Sequence, residues 1–192
     1  MKQDEIERAV EVLRKGGVVA YPTETVYGLG ARLQRAAIER VFSLKGRERT
    51  KPISMAVSSL DMMARYVHLD SMARRLIERL APGPYTFVLP RRHTVPPELT
   101  GGGALVGVRY PSSTTALSLI ERLGEPITST SANRSGEAPP VHWSDVELDV
   151  DILIRGRCEY EEPSTVIEVG TLRILRRGAG VNAAERVLGQ LL

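Results

Sequence analysis

The sequence predicts an α/β fold in which helices flank a mixed β-sheet. Short apolar runs that are typical of buried strands alternate with segments whose apolar residues recur at helical spacing. Because the strands follow the helices at irregular intervals, we expect a mixed rather than a wholly parallel sheet. The 192 residues contain no internal repeat, low-complexity tract or linker-like segment, which predicts a single domain over residues 1–192.

Helical periodicity and capping residues define the predicted helices. The segment 4–15 carries its apolar residues on one face, has glutamates in its first turn and ends at two glycines. Residues 35–45 repeat this apolar spacing. The other predicted helices follow N-cap residues or close the chain: one after Ser59, one after Asp70 that stops at Pro82, one after Ser112 or Ser113 that stops at Gly124, and one over residues 183–191.

Apolar runs bounded by proline, glycine and polar residues predict the strands. The first, residues 18–21, stops at Pro22 and is followed by polar residues 23–25, Val26-Tyr27 and a glycine-rich exit through Gly28 and Gly30; a strand followed by a plain tight turn remains an alternative. Ligands of open α/β sheets bind at such strand ends, so we expect these polar groups near a site. The other predicted strands cover residues 53–57, 85–89, 104–108, 151–154, 165–169 and 172–175, with loops over residues 90–103 and, apart from one short helix, 137–150.

Charge and cysteine content narrow the class of protein. A formal net charge of +3 favours anionic ligands but is too small to indicate nucleic-acid binding by itself. The single cysteine, Cys158, excludes an internal disulfide, fits a reducing compartment and is expected to be structural. No apolar run approaches the roughly 18 residues of a membrane span, and the charged N-terminus is unlike a secretion signal, so we expect a cytoplasmic protein with no membrane contact.

Four cations alternate along the segment that follows the second predicted helix. They are Lys45, Arg47, Arg49 and Lys51, and Glu48 is the one acid among them. The alternation predicts that one pair faces inward and the other faces water. A helix C-terminus favours cations and accounts for Lys45 alone, but a polyphosphate site accounts better for the whole set.

Hydroxyl groups and arginines recur at the ends of predicted strands. Residues 128–133 (TSTSAN), Ser164 and Thr86 supply hydroxyls and an amide, while Arg109 and Arg176 each end an apolar run. This recurrence indicates one concave site built from several strands, although polar turns and edge caps remain an alternative.

Several catalytic patterns are missing from the sequence. It contains no GxxxxGK[ST] loop, no dinucleotide glycine pattern and no GxSxG turn, and its three histidines form no metal or triad pattern with Cys158. We therefore expect a reaction that depends on positioning and charge stabilisation rather than on a covalent nucleophile.

Seven segments together resemble one known family. In order they are YPTETVYGLG, KGR with KPIS after it, PGPYT, GVRYP, TSANRSG, STV and ILRRG. Over roughly residues 8–180 the chain resembles the YrdC family, the threonylcarbamoyl-adenylate synthases. The resemblance implies a twisted open sheet with a large positively charged cavity, and condensation of L-threonine, bicarbonate and ATP. A separate tRNA threonylcarbamoyl transferase complex would then modify the adenosine next to the anticodon.

The resemblance also implies roles for individual residues. Thr25, Ser129 and Ser164 would hold threonine, and Arg109 would bind a substrate carboxylate or phosphate. Mg²⁺ is expected with ATP, held mostly by phosphates and water, without a protein metal site. ATP and its phosphates would be held by Lys45, Arg47, Lys51, Thr86, Ser131, Asn133 and Arg176, of which Lys45 and Arg47 are the catalytic candidates.

Three positions depart from the pattern of some relatives. Ala56 replaces a histidine near threonine, Pro139 replaces a nucleotide-contacting serine, and Lys51 replaces an asparagine. The chain resembles the short form of the family, without the linker and extra C-terminal domain.

Two other interpretations of the sequence stay open. One is an RNA-binding factor in translation or ribosome assembly that uses a basic concave surface, although the scarcity of aromatic residues weakens it. The other is a carbamoyl-transfer domain similar to that of hydrogenase-maturation proteins.

Overall fold

Strands and helices alternate along the chain in the computed structural model, which describes residues 2–191. Met1 and Leu192, the ends of the predicted domain, lie outside the described residues. The strands are β1 (Val19–Pro22), β2 (Tyr27–Gly30), β3 (Ser54–Ala56), β4 (Tyr85–Pro90), β5 (Leu105–Arg109), β6 (Ile127–Ser131), β7 (Ile152–Leu153), β8 (Thr165–Glu168) and β9 (Arg173–Arg176). The helices are α1 (Lys2–Arg14), α2 (Arg35–Lys45), α3 (Leu60–Ala64), α4 (Ser71–Leu80), α5 (Pro97–Thr100), α6 (Thr114–Leu123) and α7 (Val181–Gly189), with 3₁₀ turns at Trp143–Asp145 and Val169–Thr171.

The described strands form one open mixed sheet in the order β7-β1-β2-β6-β3-β5-β4-β8-β9. The pairs β1–β7, β3–β5 and β4–β8 are parallel, and the other pairs are antiparallel. The prediction of a mixed sheet flanked by helices is therefore confirmed. Within residues 2–191 the terminal strands β7 and β9 each pair on one side only, so the sheet does not close.

The glycine-rich exit after the first predicted strand is itself a strand, β2, which forms a hairpin with β1 across a bend at residues 24–26. In the β1–β2 register Tyr21 lies opposite Gly28. A Cβ atom added at Gly28 or Gly30 would lie 3.0 or 2.9 Å from the Tyr21 ring. The two glycines thus leave room for the buried ring against β2. Their low intrinsic strand preference is why the sequence pattern missed this strand.

The alternation of side chains separates a packed face of the sheet from an open one. In β4, Phe87 and Leu89 are buried in the core, whereas Thr86 and Val88 line a cavity on the other face. Gly107, on β5, also lines that cavity. Successive residues of a strand point to opposite faces, so one set builds the core and the other is available for a ligand.

The capping predictions are confirmed where the structure tests them. The Ser59 hydroxyl accepts from the Met62 amide, and the Asp70 carboxylate accepts from the Ala73 amide. Ser113, rather than Ser112, caps α6. The prediction that residues 90–103 form only a loop is wrong, because α5 lies within them.

Most of the buried apolar residues, from Ile6 to Leu188, form one cluster. Among the described residues, no helix has the length and hydropathy of a membrane span.

Candidate active site

A cavity of about 640 Å³ opens over the strands β2, β6, β3, β5, β4, β8 and β9. Three arginines line it, whereas Glu137 is the one acid among its lining residues. The structure thus brings most of the predicted site residues together. Those in the lining are Arg47, Thr86, Arg109, Ser129, Ser131, Asn133, Ser164 and Arg176.

Thr25, Lys45 and Lys51 are not among the residues that line the cavity. Thr25 and Lys45 are buried and bond to lining residues, as described below. Lys51 is exposed instead, and its ammonium pairs with Glu48 at 3.0 Å. The prediction that one pair of these cations faces inward and the other faces water is confirmed, with Lys45 and Arg47 inward and Arg49 and Lys51 exposed, but the two pairs follow one another instead of alternating.

Arg109, at the end of β5, forms a buried ion pair. Its Nη2 donates to Glu24 Oε1 at 2.6 Å and to Thr25 Oγ1 at 3.0 Å. The Arg109 Nε is also buried and has no hydrogen-bond partner among the described residues. The Thr25 hydroxyl is in turn bonded to that of Thr23, at 2.9 Å. The polar loop between β1 and β2 therefore supports an arginine that faces the cavity.

Arg176, at the end of β9, is fixed by Ser164. Its Nε and Nη2 donate to the Ser164 carbonyl at 3.1 and 2.8 Å, and Nη2 also donates to the Ser164 hydroxyl at 3.0 Å. The hydroxyls of Ser164 and Thr86 lie 2.8 Å apart. Partial desolvation, and secondarily the positive charge of Arg109, lowers the pKa of Arg176, although the residue as a whole stays exposed. An anion bound between these arginines would relieve their mutual repulsion.

Lys45, the last residue of α2, bridges to the end of β6. Its ammonium donates to the Ser131 carbonyl and, at 2.7 Å, to the Asn133 carbonyl. The side chain is almost fully buried, at 2% exposure. Burial, followed by the positive charge of Arg47, lowers the pKa of Lys45 to about 8, and Glu137 opposes this effect. In this structure Lys45 thus holds two residues of the cavity wall.

Arg47 closes the turn that follows α2. Its Nε donates to the Lys51 carbonyl at 3.1 Å and its Nη2 to the Pro52 carbonyl at 3.0 Å. These bonds hold the guanidinium in a fixed orientation beside the cavity. Partial burial lowers the pKa of Arg47, but an arginine stays protonated at any physiological pH.

Sequence reasoning missed two buried residues that support the site. Glu24 was recognised only as a polar residue after a strand, but it is the carboxylate that meets Arg109. The Tyr21 hydroxyl lies next to the Ser129 side chain, and burial above all raises the pKa of Tyr21 to about 12. In the sequence, only the closeness of Glu24 and Tyr21 to Thr25 could have indicated that these two residues belong to the site.

The departures at Ala56 and Pro139 occupy different environments. Ala56 is buried and lies opposite Arg109 in the β3–β5 register, while Pro139 lines the cavity.

Burial raises the pKa of Cys158 to about 11, which is typical of an unreactive thiol.

The residues present do not suit a protein-held metal ion. Within the described part of the chain, no group of three or more His, Cys, Asp or Glu side chains could hold one.

Comparison with known proteins identifies the chain's relatives. A family model described as "Sua5_yciO_yrdC: Telomere recombination" matches residues 11–178. The chain is 37% identical over 198 residues to threonylcarbamoyl-AMP synthase of Pyrococcus abyssi, covering 97% of this chain and 58% of the relative. It is 38% identical over 176 residues to threonylcarbamoyl-AMP synthase of Chromobacterium violaceum, covering 88% and 91% of the two chains.

Structural comparison gives the same relationship. The crystal structure of P. abyssi Sua5 complexed with L-threonine superposes with a TM-score of 0.91 at 36% identity, covering 96% of this chain and 57% of that one. This chain therefore spans less than three fifths of the Pyrococcus protein but about nine tenths of the Chromobacterium protein. The identity, coverage and shared fold show that the chain belongs to the Sua5/YciO/YrdC family.

Proposed function

We propose that this protein is an L-threonylcarbamoyladenylate synthase, a nucleotidyltransferase that condenses L-threonine, bicarbonate and ATP into threonylcarbamoyl-adenylate and pyrophosphate. The observation that carries the proposal is the convergence of Arg47, Arg109 and Arg176 with strand-end hydroxyls in one cavity. A cavity with three arginines and one acid is positively charged and favours anionic ligands. The names of the relatives and the L-threonine complex of one of them support the same activity.

ATP would bind with its phosphates between Arg47 and Arg176, which both line the cavity. Two fixed guanidinium groups can each donate paired hydrogen bonds to phosphoryl oxygens. Thr86, Ser131 and Asn133 would add neutral polar contacts. Lys45 would act by holding the Ser131 and Asn133 carbonyls, while the exposed position of Lys51 does not support a phosphate contact.

Threonine would bind near Arg109, Ser129 and Ser164. The guanidinium of Arg109 suits the carboxylate, and the two serine hydroxyls can bond to the amine and the side-chain hydroxyl. Thr25 would contribute through its bond to Arg109. Ala56 adds no polar contact to this region.

The proposed chemistry has two steps, both of which depend on positioning. The neutral amine of threonine attacks bicarbonate, and water leaves to give the carbamate. A carbamate oxygen then attacks the α-phosphorus of ATP, and the bond to pyrophosphate breaks. Holding two reactants in line contributes on the order of 7–11 kcal/mol. Arg47 and Arg176 would stabilise the charge that develops on pyrophosphate.

Mg²⁺ would enter as the complex with ATP, as part of the substrate. Glu137 is the one acid in the cavity lining, so the phosphates and water would supply most ligands of the ion. The product would pass to a tRNA threonylcarbamoyl transferase complex in the cytoplasm.

The direct test is pyrophosphate release by the purified protein. Release should require ATP, threonine and bicarbonate together, and mass spectrometry should detect threonylcarbamoyl-adenylate. Release that does not depend on threonine would overturn the proposal.

Substitution of a cavity arginine tests the phosphate assignment. Arg47→Ala should lower kcat/KM for ATP by about 10- to 100-fold, because it removes charge-assisted hydrogen bonds. Arg49→Ala is the matched control, since Arg49 is exposed, lies near Glu39 at 3.8 Å and does not line the cavity. Equal activity of the two variants would contradict the assignment.

A further inference from the structure

The three cavity arginines differ in how their charge is compensated. Arg109 meets the Glu24 carboxylate at 2.6 Å. Arg47 donates to backbone carbonyls, and Arg176 donates to the carbonyl and hydroxyl of Ser164. Within residues 2–191, Arg109 is thus the one cavity arginine whose guanidinium forms an ion pair.

Glu24 is fixed by hydrogen bonds to both oxygens of its carboxylate and to its backbone carbonyl. Its side chain is 2% exposed; one oxygen accepts from Arg109 and the other from the Ser113 amide at 3.3 Å. Its backbone carbonyl accepts from the amides of Glu159 and Tyr160 at 3.0 and 2.8 Å. Glu24 does not line the cavity. It therefore acts on any ligand only through Arg109.

The pairing divides the cavity by charge. The Glu24–Arg109 pair is neutral overall, whereas Arg47 and Arg176 each present a full positive charge. A guanidinium whose charge is compensated by a neighbouring carboxylate still donates directional hydrogen bonds to a planar carboxylate ligand. It attracts a multiply charged phosphate much less strongly than an uncompensated guanidinium does. Arg109 is therefore suited to the single carboxylate of an amino acid, which also carries an amine.

We infer that Glu24 is a positioning and specificity-determining residue. It holds Arg109 with its remaining N–H groups toward the amino-acid carboxylate, and it keeps Arg109 from competing with Arg47 and Arg176 for phosphate. This inference rests on the proposed function, because it assigns the amino acid to Arg109. A purely structural ion pair would instead affect stability without changing ligand preference.

The test compares Glu24→Gln with the native protein in the pyrophosphate-release assay. The KM for L-threonine should rise about tenfold or more, because a charge-assisted bond to Arg109 is weakened, while the KM for ATP stays within about twofold. Inorganic phosphate should inhibit the native protein only weakly and should become competitive with threonine in Glu24→Gln. A structural role alone would not create this competition.

Glu125→Gln is the matched control. Glu125 pairs with Arg32 through two hydrogen bonds, partly exposed and outside the cavity lining. Glu125→Gln removes the acid that pairs with an arginine, as Glu24→Gln does, but at a distance from the cavity. The KM for threonine, the KM for ATP and the inhibition by phosphate should therefore stay at their native values. A similar phosphate effect in this control would overturn the inference.

Glu24→Asp keeps the test decisive if Glu24→Gln does not fold. The shorter acid retains the charge but cannot reach both Arg109 and the Ser113 amide, so the KM for threonine should rise without phosphate competition. A native KM for threonine in Glu24→Asp would overturn the positioning role. Phosphate competition in Glu24→Asp would overturn the charge argument.

The controls also separate the inference from the proposed function. Native protein without threonine-dependent pyrophosphate release overturns both. Native activity with an unchanged KM for threonine in Glu24→Gln overturns only the role of Glu24.

Discussion

Lys45 shows how one buried residue can matter to a site without contacting the ligand. Its ammonium satisfies the carbonyls of Ser131 and Asn133 at the point where β6 ends. A buried cation needs such partners, because the loss of water otherwise disfavours its charge. This loss of water is the main reason why the pKa of Lys45 is lowered to about 8. The Lys45 side chain therefore binds its proton less tightly in the folded chain than in the unfolded one.

We predict that native stability depends on pH through Lys45. The folded pKa of about 8 is below the ordinary value of 10.5, so between these values the unfolded chain binds more protons. The free energy of unfolding should rise with pH across this window relative to Lys45→Met, by on the order of 2 kcal/mol. Urea denaturation at pH 7, 8, 9 and 10 measures the difference.

Lys51→Met is the control for this pH dependence. Lys51 is exposed and pairs with Glu48 on the surface, so its removal should leave the pH profile unchanged. Parallel profiles for the native protein and Lys45→Met would show that the Lys45 proton does not respond to folding.

Among the elements, the β1–β2 hairpin is where tertiary packing overrides local preference. Apolar periodicity, N-caps and terminal glycines predicted most helices and strands within a few residues. They could not predict β2, because the two glycines of Tyr27–Gly30 have a low intrinsic preference for strands. Their role becomes clear only in the hairpin, where they leave room for the Tyr21 ring. They also could not predict α5, whose four residues are too short to show a period.

We predict that Gly30→Ala destabilises the protein by about 1–3 kcal/mol, because the new methyl group would press on the Tyr21 ring. The added Cβ would lie 2.9 Å from that ring and 3.1 Å from Ile127, and both side chains are buried. Gly170→Ala is the control, since its added Cβ meets no atom within 4 Å. Urea unfolding midpoints should separate the two variants, and equal midpoints would contradict the packing argument.

For the whole molecule, the sequence predicted the chemistry of the site better than its geometry. Arginines and hydroxyls at strand ends indicated one concave site, and the cavity contains most of them. Spacing along the chain does not tell whether a polar side chain contacts a ligand or a residue that does. Thr25 and Lys45 are of the second kind, and Glu24 was missed because its partner, Arg109, is 85 residues away.

The single domain over residues 1–192 stays a prediction, and ligand-linked unfolding tests it together with the ATP site. Since the buried cluster runs from Ile6 to Leu188, unfolding should be one cooperative transition. A nonhydrolysable ATP analogue at 100 times its Kd should stabilise the whole transition by about 2.7 kcal/mol, or roughly 5–10 °C in calorimetry.

Arg176→Ala should lose most of this shift at the same analogue concentration, because it removes a full charge and the bonds that join β9 to Ser164. Arg173→Ala, on the same strand but outside the cavity lining, should keep it. Two transitions of which only one moves would contradict the single domain. An equal shift in both variants would remove Arg176 from the ATP site.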